Sequence, residues 1–166
     1  MQKIIFDSEE INKIKKHANT IQKKLNVKLT FGNEEVKLEG DSFDEYLAKD
    51  VITALSLGFE TVDALKIIKD NKSFKIIELK VFVGAKDLKR IRGRVIGKEG
   101  KSKLNLEEIS DVKISIHNNK IGVIGDIENV ALVIDGIMKL MDGAPHGNVY
   151  SYIQRKIQQM KIEHNQ

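Results

Sequence analysis

The sequence of 166 residues predicts an α+β protein: two tandem copies of a small β-α-α-β-β-α unit, each with an antiparallel three-stranded sheet, and a C-terminal helix. Three observations carry this expectation. An 85-residue slide lays "NVKLTFGNEEVKLEGD" (Asn26–Asp41) on "DVKISIHNNKIGVIGD" (Asp111–Asp126) without a gap, and Gly58 on Gly143. The matched segments alternate apolar and polar residues, as strands with one buried face do. The segments around them repeat apolar residues at helical spacing.

The first copy, residues 1–74, opens with the strand "KIIF". Two helical stretches with a break follow, then two strands joined by a polar turn. A helix over Ser42–Leu57 closes it, capped by Asp41 or Ser42 and ended by Gly58. Residues 59–74, with "TVDALKIIKD", read as a linking helix. The second copy, residues 75–166, opens with "IIELKVFV" as its strand. Leu88, Ile91 and Val95 then form the buried stripe of a helix, with Arg92, Gly93 and Ile96 along one edge and Arg90 and Arg94 pointing away. After a glycine-containing break and a second helix, Val112, Ile114 and Ile116 alternate with Lys113, Ser115 and His117. A polar "NNK" turn leads to "IGVIG", and a helix over Ile127–Met141 starts at Asp126 and ends at Gly143. Beyond Pro145, Val149, Ile153, Ile157 and Met160 form an apolar stripe, expected to pack across the two copies.

Apolar residues make up 41 % of the chain and charged residues 31 %, as in soluble globular proteins. No apolar run is long enough to span a membrane, and "MQKIIFDSEE" lacks the apolar stretch of a signal peptide. Without cysteine there is no disulfide framework or thiolate metal site, and a cytoplasmic setting is expected. Net charge is +4. Residues 1–75 hold 13 lysines against 13 acids, so the excess lies beyond them. Lys86–Lys103 holds eight basic residues against Asp87 and Glu99, a field that attracts polyanions. Residues 11–33 also hold six lysines and no acid.

The densest chemistry is "RGRVIGKEGKS", Arg92–Ser102. A nucleotide-binding G-x-x-x-x-G-K-[ST] loop needs glycine at position 95, where Val95 stands, and a strand before it, where the spacing is helical. The dinucleotide G-x-G-x-x-G pattern fails at the same position. What remains is G-x-x-G between two helices, beside an apolar edge and before a basic helix start. Glycine lets a backbone approach phosphates closely, and the helix N-terminus favours anions. Bases of a single strand can then turn into the apolar groove.

"RVIGKEGKS" resembles the loop of a type I KH domain. "RIRGRVIGKEGKSKLNLEEIS", "IGVIGD" and "GAPHGNVY" together resemble a narrower family: archaeal tandem KH proteins related to the eukaryotic partner-of-Nob ribosome-assembly factors. The resemblance covers nearly the whole chain. It implies a role in small-subunit pre-rRNA processing, through binding of the 3′ region of that rRNA. It also implies two protein partners, a PIN-domain endonuclease and the alpha subunit of initiation factor two. Carried over residue by residue, Gly97, Lys98, Glu99 and Gly100 form the phosphate loop. Gly93, Ile96 and Leu104 line the base groove; Arg92, Lys101 and Lys103 hold phosphates; Lys113 and Ser115 reach bases. Two departures stand out. The offset puts "NKIK" (Asn12–Lys15) on "GKEG", so the first copy is expected to be a degenerate KH domain with a structural or protein-binding role. After the loop, Leu104 and Asn105 replace more typical residues.

Nothing suggests an enzyme, a cofactor or a metal. The four histidines lack metal-ligand spacing, and Glu107-Glu108 does not converge on one point. His146 is expected to brace its turn, Tyr150 and Tyr152 to pack, and Ser102 to start a helix. Two other functions compete: a general KH regulator of translation or mRNA, and a KH scaffold that binds proteins.

Overall fold

Three backbone features recur in the two repeats at the 85-residue offset: a left-handed residue after the second helix, a glycine that crosses a valine, and the glycine that ends the long helix. In the computed structural model, which describes residues 1–166, the first unit is Met1–Asp70 and the second Asn71–Gln166. The first unit runs β1 (Gln2–Ile5), α1 (Ser8–Lys15), α2 (Ala18–Leu25), β2 (Lys28–Phe31), β3 (Glu35–Glu39), α3 (Ser42–Ser56) and α4 (Thr61–Ala64). The second runs β4 (Lys72–Glu78), α5 (Leu79–Phe82), α6 (Leu88–Ile96), α7 (Lys101–Ser110), β5 (Lys113–His117), β6 (Lys120–Asp126), α8 (Ile127–Met141) and α9 (His146–His164). Each sheet is antiparallel and places its last strand in the centre, in the orders β1-β3-β2 and β4-β6-β5. The predicted α+β class and both three-stranded sheets are present.

Asn26 ends α2 and Asp111 ends α7, both in the left-handed conformation that short polar side chains tolerate. Gly40 passes over Val27, and Gly125 over Val112. A Cβ on either glycine would lie 2.9 or 2.8 Å from the valine Cγ1. The long helices end alike. Gly58 N–H donates to Leu55 and Phe59 N–H to Ala54; Gly143 N–H donates to Leu140 and Ala144 N–H to Lys139. Both are Schellman ends, which place a left-handed glycine after the helix.

Several elements differ from the sequence expectation. The opening strand of the second unit is Lys72–Glu78, not residues 76–83, so the units meet between Asp70 and Asn71 rather than at 74/75. β6 sets that length: it pairs with β4 from Asp126 to Lys120, and Leu79 N–H closes the ladder on the Asn119 carbonyl. With no partner left, the chain turns into α5, and Val81 and Phe82 face solvent. The linking helix is only α4 and a 3-10 turn over Leu65–Ile68. Asp41 and Asp126 stand at the N-cap positions of α3 and α8 but provide no side-chain cap. The Asp126 carboxylate instead accepts from Lys72 Nζ at 2.7 Å. The side-chain cap that does form is Asp7 with Glu10, a reciprocal capping box on α1.

The stripe of α9 is used within the second unit. Val149 and Ile153 are buried against α8, where Gly136 leaves room for the Ile153 tip. No helix is long and apolar enough to cross a membrane.

Alanine at Gly40 or Gly125 should cost about 1–3 kcal/mol, because the valine it meets is β-branched and cannot swing away. Residue-resolved amide exchange checks this: protection should fall within 1–70 for Gly40→Ala and within 71–166 for Gly125→Ala.

Candidate nucleic-acid interface

The α6 stripe buries Ile91 and Val95 in the core of the second unit and leaves Gly93 and Ile96 nearer solvent. At its end the chain reverses through Gly97–Gly100. Gly97 has φ 75° and ψ 171°, a region only glycine populates freely. Glu99 (φ 54°) and Gly100 (φ 74°) are left-handed as well. Gly97 N–H donates to Gly93 and Gly100 N–H to Gly97, so the turn is closed by its own backbone.

The two loop glycines are required for different reasons. A Cβ on Gly97 would stand 2.6 Å from the Ser102 backbone nitrogen, so the two backbones touch there. A Cβ on Gly100 or Gly93 would meet nothing. Gly97 is therefore needed to bring α7 against α6, while Gly93 and Gly100 leave a surface open. Lys98, Glu99 and Lys101 are exposed around it, and neither lysine makes an ion pair. The first N–H groups of α7 lie behind them, the positive end of that helix. Ser102 starts α7 as expected; it is buried, and its hydroxyl has no partner.

The other predicted residues divide into groups. Leu104 is exposed on α7 and Ile96 half-buried on α6, which supplies an apolar border. Arg92 Nη1 donates to the Asn118 carbonyl at 2.9 Å, tying α6 to the β5–β6 turn. Lys103 pairs with Glu107 one turn on, at 2.9 Å, so part of its charge is already answered. Lys113 and Ser115 alternate with buried Ile114 on the edge strand β5. They therefore stand on the sheet face turned away from that core, apart from the loop group.

Arg94 does not point away. Its Nε donates to the Leu140 carbonyl at 2.9 Å and its Nη2 to the Ala144 carbonyl at 2.6 Å. The guanidinium thus sits at the negative end of α8. His146 answers from the next turn: its Nε2 lies 2.8 Å from the Arg94 carbonyl and must carry the proton there. These three bonds clasp the last turn of α6, from which the loop projects, to the end of α8 and the "GAPH" segment that follows it. His146 braces its turn, as expected. Sequence reasoning missed Arg94 because nothing local signals a partner 46 residues away.

The first unit has no such loop. Asn12–Lys15 lie inside α1, and the break falls on Lys16–His17. The 85-residue offset thus holds from the end of the second helix onward but not before it. Lys15, exposed at the end of α1, puts its Nζ 5.6 Å from the ring centroid of Phe31 on the edge strand β2.

The family model for the second KH domain of Pno1 proteins, described as a eukaryotic type KH-domain (KH-domain type I), matches residues 73–158. The chain belongs to this family, among the Pno1-related KH proteins. A KH domain-containing protein of Methanocaldococcus jannaschii is 30% identical over 152 residues, covering 86% of this chain and 66% of the relative. A pre-rRNA-processing protein pno1 of Aspergillus fumigatus is 27% identical over 147 residues, covering 83% of this chain and 58% of the relative. The chain thus spans somewhat under two thirds of each. A solved chain in the a/eIF2alpha-aDim2p-rRNA complex of Pyrococcus horikoshii superposes with a TM-score of 0.84 at 25% identity, over 93% of this KH protein and 92% of that chain.

In this KH protein the roles of the loop glycines should separate. Gly97→Ala must push α7 off α6 and should cost about 3 kcal/mol or more, whereas Gly100→Ala meets only left-handed strain of about 1–2 kcal/mol. Denaturant unfolding of both variants checks the order. The clasp gives a second expectation. Arg94→Lys replaces a planar fork, whose Nε and Nη2 reach the two carbonyls separately, with donors on a single atom, and should cost about 1.5–3 kcal/mol. It should also speed amide exchange at Gly97 and Gly100 more than at the central strand β6.

Proposed function

We propose that this chain is a non-catalytic, cytoplasmic assembly factor of the small ribosomal subunit, which holds single-stranded RNA from the 3′ region of that subunit's rRNA on the Gly97–Gly100 loop. The observation that carries the proposal is the loop. It places two unpaired lysines and an open glycine backbone before the N-terminus of α7, beside the apolar border of Ile96 and Leu104. That combination suits a run of phosphates with bases turned inward. Gly93 leaves space for the strand, Arg92 holds a phosphate while bonded to Asn118, and Lys101 and Lys103 flank the helix start. Lys113 and Ser115, on the opposite face of the edge strand β5, meet bases only where the RNA continues past that edge. Support comes from the relatives: one is named a pre-rRNA-processing protein, and the Pyrococcus horikoshii neighbour belongs to a complex with rRNA and a/eIF2alpha.

By the same reading the partners are the alpha subunit of initiation factor two and a PIN-domain endonuclease. The first unit, a degenerate KH domain whose α1 runs through Asn12–Lys15 with no glycine loop, serves structure and protein binding. One KH loop holds about four nucleotides, so affinity is raised by contacts made elsewhere on the same RNA or on a shared partner.

The test is a titration at one stated salt concentration, with an oligonucleotide from the rRNA 3′ end and a scrambled control. Wild type should prefer the rRNA end. Lys98→Asp/Glu99→Asp should bind it about tenfold or more weakly while unfolding at the same temperature, since aspartate tolerates the left-handed backbone at position 99. The salt slope should fall by about 0.7 for each phosphate that the variant no longer holds. Equal binding by both proteins would remove the loop from the interface.

A further inference from the structure

The internal repeat offers a control for every residue of α3, because α8 is its counterpart at the same offset. Phe43 and Tyr46 sit one turn apart on the outer face of α3, 70% and 61% exposed. Their counterparts in α8 are Glu128 and Ala131. The same fold closes without aromatic residues there, so Phe43 and Tyr46 are not needed for the core of their own unit. They also lie in an acidic setting. Glu39, Asp41 and Asp44 are exposed or half-exposed around them, against Lys49 one turn past Tyr46; Glu45 is buried, and the Met1 amine answers its charge at 2.8 Å.

We propose that this face of α3 is a docking site for a partner protein that presents apolar side chains between lysines or arginines. Charge selects the occupant. Phosphates are repelled by the acids, so RNA does not suit this face, unlike the loop of the second unit. A second copy of this chain would bring the same acids against themselves. A basic protein segment gains both the charge and the aromatic surface. The two rings bury about 300–500 Å² when covered, less than the roughly 800 Å² that each side of a stable interface contributes. The face is therefore an anchor within a larger contact or a weak site by itself.

The test uses the full chain and three synthetic 12-residue peptides: alternating Leu and Arg, alternating Leu and Glu, and alternating Ser and Arg. The variant is Phe43→Glu/Tyr46→Ala, which installs the residues that α8 already carries. Wild type should bind the Leu/Arg peptide, shifting NMR signals of the Phe43 and Tyr46 rings, and should bind the other two at least about tenfold more weakly. The variant should lose about tenfold or more in affinity for the Leu/Arg peptide. It should keep the wild-type unfolding temperature and the wild-type RNA affinity, whatever that affinity is. Equal binding of the peptide by wild type and variant, or of all three peptides by wild type, overturns the proposal. So does a collapse in stability, which would make the aromatics structural. A wild-type dimer that the variant dissolves, or RNA binding that the variant loses, would assign the face to another occupant and overturn it as well.

Discussion

Between α6 and α7 the chain has to turn within four residues while the backbone of Gly97 rests on that of Ser102. That contact leaves no room for a Cβ, and much of the second unit follows from it. It sets the direction in which α7 leaves, and hence the position of Leu106 in the core and Leu104 outside it. It forces left-handed backbone at Gly97, Glu99 and Gly100 in a short span. It buries Ser102 so tightly that the hydroxyl has no partner, a local cost accepted in a unit whose other buried polar groups are mostly paired. The open face at Gly93 and Gly100 is the other side of the same constraint. The backbone is crowded toward the protein at Gly97 and bare toward solvent at Gly100.

Comparison of the two units separates what the fold needs from what the site needs. Both keep the glycine that crosses a valine, the left-handed residue after the second helix and the Schellman end of the long helix. Those are backbone requirements, and neither unit has lost them. The loop is a requirement of the second unit alone, and the first replaces it with a near-continuous helix pair broken only at Lys16–His17. Lys15 lies against the Phe31 ring there, a lysine and an aromatic residue engaged with each other.

What could be read in advance follows the same division. Strand alternation in Val112–Ile116, the stripe at Ile91 and Val95, and the helix-ending glycines Gly58 and Gly143 are local signals, and each lies where the sequence placed it. The errors have non-local causes. β4 begins at Lys72 because β6 offers seven partners, a fact absent from the residues of β4 itself. Asp126 stands at a helix start but accepts from Lys72, 54 residues away, in place of capping. Arg94 has the same exposed helical look as Arg90, yet only Arg90 turns outward to a neighbour, Asp87. One further local signal marks a helix start: "DSEE" carries the spacing of the capping box that Asp7 and Glu10 form.

The clasp and the loop also bear on how a small site can hold a flexible polymer. A four-residue loop gains little from each phosphate and would lose much of it if the loop had to be ordered on binding. Here the order is present before any ligand arrives. Gly97 N–H and Gly100 N–H are already bonded, Arg92 is fixed to Asn118, and the last turn of α6 is held to the end of α8 by Arg94 and His146. The flexible elements left are the lysine side chains Lys98 and Lys101, whose freedom suits a backbone of variable path. Rigidity is thus placed in the glycine backbone, where close approach needs it, and mobility in the charges, where long range makes it tolerable. The "GAPH" segment lies far from the loop in sequence, but through Arg94 it belongs to the same mechanical unit.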